Sequence, residues 1–244
     1  MKRIKYFALL IIPILIGIWY LNITQPYDTI SDMAYNRTIK VNYVYIEEKN
    51  FGYVPFIIID NQYEGKTLLL RKNTLPRTRR MNDYDATYDN CEMDLFLNNQ
   101  YYNDLTINKG IQCIDLEIGD ESNLGQSGTN TKLIKRKIFL LSMYETMRPC
   151  HLVYPSEGKR LIYFVDPEHL TTDNAWWTRT PDGAYYSLFC SFGLDGTRSS
   201  GNAFDYSGIR PAFCLNGNRP VYKVGTHYFL EPVSEEISKN IVDD

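Results

Sequence analysis

The sequence predicts an α+β domain set behind a hydrophobic N-terminal leader, and three observations predict it. Short runs of β-branched and aromatic residues, separated by Gly, Asn and Asp turns, recur from Val41 to Leu215. Two tetrapeptides, Asp89–Glu92 and Ser142–Glu145, have an acidic or hydroxyl residue and a Glu three positions on, the spacing that opens a helix. Lys2, Arg3 and Lys5 precede an uncharged, mostly apolar run from Tyr6 to Leu21. The 244 residues, 44% hydrophobic and 23% charged, suit one globular domain with a terminal appendage, or at most two small domains. That composition excludes collagen-like, coiled-coil and wholly disordered chains. A formal net charge of -3 gives no electrostatic footprint for nucleic acid. The 20 tyrosines, with 3 tryptophans, favour strands and an aromatic-decorated surface.

A basic start followed by an apolar stretch is the pattern of a secretory signal. Residues 6–21 at about 1.5 Å rise cover about 24 Å, short of a hydrocarbon core of about 30 Å. Trp19 and Tyr20, placed at the far interface, make up part of the difference. No small-x-small cleavage site follows Leu21, and with Cys91 the first cysteine, lipid attachment directly after the leader is excluded. The pattern favours an uncleaved membrane anchor at 1–21 over a cleaved signal peptide, with the remainder extracytoplasmic, or secreted if the leader is cut. Pro13 and the basic start argue against a buried core helix. Residues 22–39 are polar and patternless and read as a linker, 40–216 as the domain, and 217–244 as a C-terminal extension.

Within the domain, Val41–Ile46 alternates apolar and polar, Tyr53–Ile59 is a near-continuous apolar run, and Lys66–Leu70 follows Gly65. These predict strands, the last two joined in a hairpin across Asp60–Gly65. Arg71, Lys72, Arg77, Arg79 and Arg80 form a basic stretch that reads as a solvated loop, with an anionic envelope polymer as a weakly indicated neighbour. Asp89–Glu92 opens a short helix closed by Leu97-Asn98-Asn99. Ile111–Ile118 reads as a strand whose apolar face is Ile114, Leu116 and Ile118, and Gly119–Thr131 as a polar loop. Lys137–Leu141 reads as a buried strand, and Ser142–Glu145 as the start of a second helix. After the Asp182-Gly183 turn come a strand Ala184–Phe192, a turn at Gly193–Gly196, and a final core strand Ser207–Asn216. Pro211 has to sit at an edge or bulge of that strand, since it cannot donate to a ladder. Tyr222–Val233 has strand-like residues and either adds an edge strand or lies outside the domain.

Five cysteines in an oxidising compartment leave at least one unpaired. Cys190 and Cys214, on neighbouring expected strands, are the most plausible disulfide; the alternative is that all five are small buried hydrophobes. The spacings match no zinc pattern.

Three pieces occur together in order: Leu95-Phe96-Leu97-Asn98-Asn99-x-Tyr101-Tyr102-Asn103; Lys137-Ile138-Phe139-Leu140-Leu141-Ser142-x-x-Glu145; and the end motifs Trp176-Trp177-x-Arg179-Thr180-Pro181 and Gly208-Ile209-Arg210-Pro211-Ala212-Phe213. The set resembles a bacterial domain-of-unknown-function family marked by Trp-x-Arg-Ser-Pro and Gly-Val-Arg-Pro-Ala signatures, over roughly residues 41–216. Here Thr180 replaces the usual serine and Ile209 the usual valine. The resemblance implies an exported protein and a C-type-lectin-like fold: a mixed sheet with two short helices and a long irregular loop region. It implies no reaction.

The Arg179 and Arg210 guanidiniums either grip a carboxylate or sulfate in two-point geometry or lie buried as ties between sheet and loop. Trp176 and Trp177 are consecutive and on a strand point to opposite faces, so one is expected in the core while the other is available for stacking, unless the loops shield both. Tyr185, Tyr186 and Tyr206 extend such a platform. The Glu-Pro-Asn, Gln-Pro-Asp and Trp-Asn-Asp motifs of calcium-dependent lectins are absent from the domain, and Asp120, Glu121 and Asn123 read as a solvated loop. His151, His169 and His227 belong to no nucleophile–base motif.

The expectation is therefore an exported, membrane-anchored, non-catalytic binding module for a glycan or a surface protein. No cofactor or metal is expected, the membrane is met through residues 6–21, and nucleic acid is not a partner. The alternatives are a structural or assembly protein of the cell envelope and, further off, a formylglycine-generating-type copper oxidase using Cys190 and Cys214.

Overall fold

The computed structural model describes residues 27–38, 41–126, 128–146, 155–183 and 185–241. The anchor expected at 1–21, together with Cys150 and His151, lies outside the described residues. Among those that are described, no helix is long and apolar enough to cross a membrane.

The described residues form a mixed α+β architecture, with twelve strands in three sheets and few helices. Seven strands form the main sheet: β1 (Tyr43–Glu48), β2 (Gly52–Tyr63), β3 (Lys66–Arg71), β6 (Ile138–Phe139), β10 (Ala212–Leu215), β11 (Tyr222–Val224) and β12 (His227–Phe229). Their order is β11-β12-β1-β2-β3-β10-β6. Only β1 and β12 pair in parallel. β4 (Ile114–Gly119) and β5 (Thr131–Arg136) make a two-stranded ribbon, and β7 (Trp176–Pro181), β8 (Leu188–Phe192) and β9 (Arg198–Asn202) a three-stranded sheet.

The centre of the main sheet is buried on both faces, which is why its strands read as continuous apolar runs rather than alternating ones. Phe56–Ile59, Leu68–Leu70 and Ala212–Leu215 are all sealed from solvent. The β2–β3 hairpin turns more tightly than expected: Tyr63 pairs with Lys66 across Glu64-Gly65. Both turn residues have positive φ, 48° and 68°, the geometry that matches the twist of a two-residue hairpin. Register shifts at Asp60 absorb the extra strand length.

The first helix starts later than the capping pattern suggests. Its N-cap is Cys91, whose Sγ accepts from Asp94 N–H, while Asp94 Oδ2 accepts from Asn90 N–H at 2.9 Å. Asp89 is drawn away by Arg136 and Lys132, and Glu92 by Arg80. The helical segment runs through a π-helical turn at Leu97–Tyr101 to Asp104. Asn98 clamps the edge strand β6: its Nδ2 donates to Ile138 O at 2.9 Å and its Oδ1 accepts from Lys137 and Ile138 N–H at 3.2 Å. An exposed strand edge is thereby covered by a side-chain amide.

Several expectations are corrected. The second helix expected from Ser142–Glu145 extends outside the described residues; residues 143–146 form a turn, in which Ser142 and Glu145 exchange reciprocal bonds, Ser142 N–H to Glu145 Oε2 at 2.8 Å and Glu145 N–H to Ser142 Oγ at 3.0 Å. β5 lies in a stretch where no strand was expected before Lys137, because its alternation is weak and none of its side chains is fully buried. The segment 27–38, read as linker, is folded: Ile30 and Met33 are fully buried, and Thr29 bridges to Pro220. The C-terminal extension is equally part of the structure, since β12 lies inside the sheet between β1 and β11. Pro211 stands just before β10, outside its ladder.

Candidate functional site

Four of the expected site residues are in the interior. Trp176 and Trp177 point to opposite sides of β7, yet both are buried, because the loops cover both faces. Trp176 donates its Nε1 hydrogen to Leu170 O at 2.9 Å and packs on Phe192. Trp177 donates to Arg79 O at 2.9 Å. Neither indole offers a face at the surface, so of the two readings the sequence left open, stacking by one ring or shielding of both, the structure has the second. Arg210 is also buried. Its Nε donates to Arg71 O and its Nη1 to His169 O, both at 3.0 Å, and it lies 5.3 Å from the Trp176 ring. It ties the end of β3 to the His169 carbonyl outside the sheet, the alternative the sequence left open.

Arg179 is wholly buried against Glu145, with Nη1–Oε2 at 2.7 Å and Nη2–Oε1 at 3.1 Å. Its Nη1 and Nε also donate to Leu140 O and Glu117 O, at 2.8 Å and 3.1 Å. Burial opposes this charge, but Glu145 and the neighbouring Tyr63 and Glu157 outweigh it and raise the guanidinium pKa. Tyr63 donates a short bond to Glu145. Glu157, fully buried nearby, accepts from Gly119 N–H at 2.7 Å and shares a short bond with Thr180. Burial raises its pKa to about 7, against the lowering effect of Arg179 and of those hydrogen bonds. This cluster is sealed, and it joins β7 to the loops rather than facing a ligand.

Tyr185, Tyr186 and Tyr206, by contrast, are exposed, and neighbouring loops carry two more exposed rings that the sequence did not collect, Tyr84 and Phe204. Tyr84, Tyr185, Tyr186, Phe204 and Tyr206 stand on three loops, each ring at least half exposed. Backbone hydrogen bonds hold the loops together: Ala86 N–H to Tyr186 O at 3.1 Å, Ala203 N–H to Ser187 O at 2.7 Å, and Met81 N–H to Ala203 O at 2.8 Å. Tyr84 and Tyr186 meet edge to face with centroids 6.0 Å apart. The result is a loop region that presents five exposed rings on a hydrogen-bonded scaffold; exposed apolar surface of this kind marks an interaction site.

Beside it lies a cleft of about 360 Å³ lined by Asn50, Phe51, Leu75, Arg77, Arg79, Phe96, Gln100, Tyr101 and Asp104. Arg79 connects the two regions, because it also lines a shallower depression with Arg80, Glu92 and Tyr206. The Arg79 backbone is held from three directions, by the reciprocal bridge to Ser207 and by the Trp177 indole. Its guanidinium carbon lies over the Phe96 ring, 3.8 Å from the centroid. Below, Tyr101 donates to Glu48 Oε1 at 2.6 Å, and Glu48 in turn pairs with buried Arg71 at 3.0 Å. The basic stretch thus divides by tertiary context: Arg71 is a core ion pair, Arg80 pairs with Asp83 and Glu92, and Arg77 and Arg79 line the cleft. The run of arginines was visible in the sequence. The partners from residues 50–51 and 96–104 were not, since only folding brings them opposite.

The expected Cys190–Cys214 pair is corrected. β8 and β10 belong to different sheets, and Cys214 is a buried free thiol whose pKa burial raises, the reverse of an activated cysteine. In the 119–131 loop, Asp120 caps Ser122 N–H, Glu121 pairs with Lys132, and Asn123 bonds Asn130. Among the described residues no three His, Cys, Asp or Glu side chains converge to hold a metal ion. The family model described as a domain of unknown function, DUF6273, matches residues 64–217. No curated protein and no solved structure matches the chain.

Proposed function

The chain belongs to the DUF6273 family, and we propose that it is an exported, non-catalytic binding module that takes a glycan on its aromatic loop face. In this reading residues 6–21 hold it at the membrane and the domain faces outward. The observation that carries it is the group of five exposed rings, Tyr84, Tyr185, Tyr186, Phe204 and Tyr206, mounted on hydrogen-bonded loops. Aromatic rings with polar tips stack on the apolar faces of sugars while their hydroxyls meet sugar hydroxyls, and rings fixed in advance lose little entropy on binding. The adjoining concave cleft supports a small ligand over a flat protein interface.

The finer fold assignment, C-type-lectin-like, belongs to the same proposal. It is supported by a mixed sheet in which strands from the two ends of the described chain, β1 and β12, lie side by side. It is supported also by the long, mostly irregular region between β6 and β10 from which much of the loop face projects.

The test is binding of the full chain to a broad glycan array, with and without EDTA, beside Tyr185→Ala, Tyr186→Ala and Tyr206→Ala variants. Saturable binding that weakens in these variants, with melting temperatures unchanged, is the expected result. Well-folded protein that binds no saccharide would overturn the reading in favour of a protein partner or an assembly role in the envelope.

A further inference from the structure

We propose that the cleft beside the aromatic face selects an acidic saccharide, with Arg79 and Arg77 receiving its anionic oxygen group. The inference rests on the glycan-binding reading above and specifies the ligand class for it.

Neither guanidinium has a hydrogen-bond or ion-pair partner among the described residues, in contrast to Arg71, Arg80, Arg136 and Arg179. The lining of this cleft includes two guanidiniums and one carboxylate, Asp104. The balance of that lining is therefore positive, in a chain whose overall charge is negative.

Arg79 is prepared for its role. The Phe96 ring supports the guanidinium, its centroid 3.8 Å from the central carbon, and the guanidinium N–H groups, without a partner among the described residues, can meet two oxygens of a carboxylate, sulfate or phosphate at once. Its backbone is fixed by Ser207 and Trp177, so less freedom is lost on binding than for an unsupported surface arginine. The rest of the lining fits a sugar: Phe51 presents an exposed ring, while the side chains of Asn50, Gln100 and Asp104 supply donors and acceptors for hydroxyls. Because Arg79 also borders the Tyr206 depression, one oligosaccharide can lie on the aromatic face and place its acidic group in the cleft.

The experiment uses the full chain on an array of uronate-, sialate-, sulfate- and phosphate-bearing oligosaccharides, each beside its neutral counterpart, at low and high salt. The variants are Arg79→Ala, Arg79→Lys and Arg77→Ala, with the exposed Lys239→Ala as a charge-matched control and thermal melts as a check on folding. The expected result is preference for acidic members, a loss of about tenfold or more in Arg79→Ala, an intermediate loss in Arg79→Lys, and weakening by salt. Equal binding of acidic and neutral members, unchanged in Arg79→Ala, overturns this inference and leaves the glycan-binding module standing. No binding to any saccharide overturns both. Which acidic group binds best identifies the source of the charge.

Discussion

Arg179 and Glu145 form a two-point ion pair with no solvent-exposed side-chain surface on either residue. Glu145 reaches this position because it bonds back to Ser142 N–H, and Arg179 because β7 passes Leu140 and Leu141. One interaction therefore ties the start of the irregular region to the strand that carries the Trp-Trp-x-Arg motif. Its main consequence is structural uniqueness: a charge left alone there has no water to turn to.

Removing one partner is expected to be costly. Arg179→Met strands Glu145, and Glu145→Gln strands Arg179, so each variant should lose about 3–5 kcal/mol of stability. The double variant should lose clearly less than the sum, because each single change already breaks the pair. Urea unfolding of the four proteins measures both quantities, and strict additivity would show that the pair is not coupled.

Trp177 links stability to the cleft. Trp177→Ala empties a core site and should cost about 3–5 kcal/mol. Trp177→Phe keeps most of the packing but loses the bond to Arg79 O, for about 1 kcal/mol. A thermal melt of Trp177→Ala that matches the wild type would contradict the packing described here.

Glu157 should make stability depend on pH. Burial raises its pKa from 4.5 to about 7, so the folded state binds that proton more tightly than the unfolded chain. The associated stability is fully present below pH 4.5 and is lost as pH rises through about 7. The swing is on the order of 3 kcal/mol. Urea midpoints across this range should fall for the wild type and flatten in Glu157→Gln; the same slope in both proteins would assign it elsewhere.

Gly208 is required by close approach. A Cβ there would lie 2.6 Å from Ala175 O and 2.7 Å from Thr74 Cγ2. Gly208→Ala is expected to destabilise by about 1–3 kcal/mol through overpacking. A neutral result in chemical denaturation would mean that the 73–75 loop shifts without cost.

The strands of the central sheet were legible because burial on both faces leaves an unbroken apolar run, as in Phe56–Ile59 and Leu68–Leu70. The face of β4 was legible from simple alternation, and Ile114, Leu116 and Ile118 are all buried. β5 was missed because a strand with no fully buried side chain carries little hydrophobic signal. The first helix start was misplaced because Asp89 and Glu92 have the right spacing for a cap but are captured by Arg136 and Arg80. A local pattern cannot show a competitor that arrives from 12 or 47 residues away.

By itself the sequence determined the α+β character and the main apolar strands. Local pattern carries that information, because each strand's burial is written into its own side-chain periodicity. Only the tertiary structure decided which distinctive residues are interior and which face outward. Arg179 and Arg210, which the sequence left as either ligand grips or buried ties, are buried ties, while Arg77 and Arg79, in a stretch that reads as a plain charged loop, line the cleft. The physical reason is that a guanidinium's role depends on which partners reach it through space. Those partners, Glu145 for Arg179 and Phe96 for Arg79, come from elements that only folding brings together.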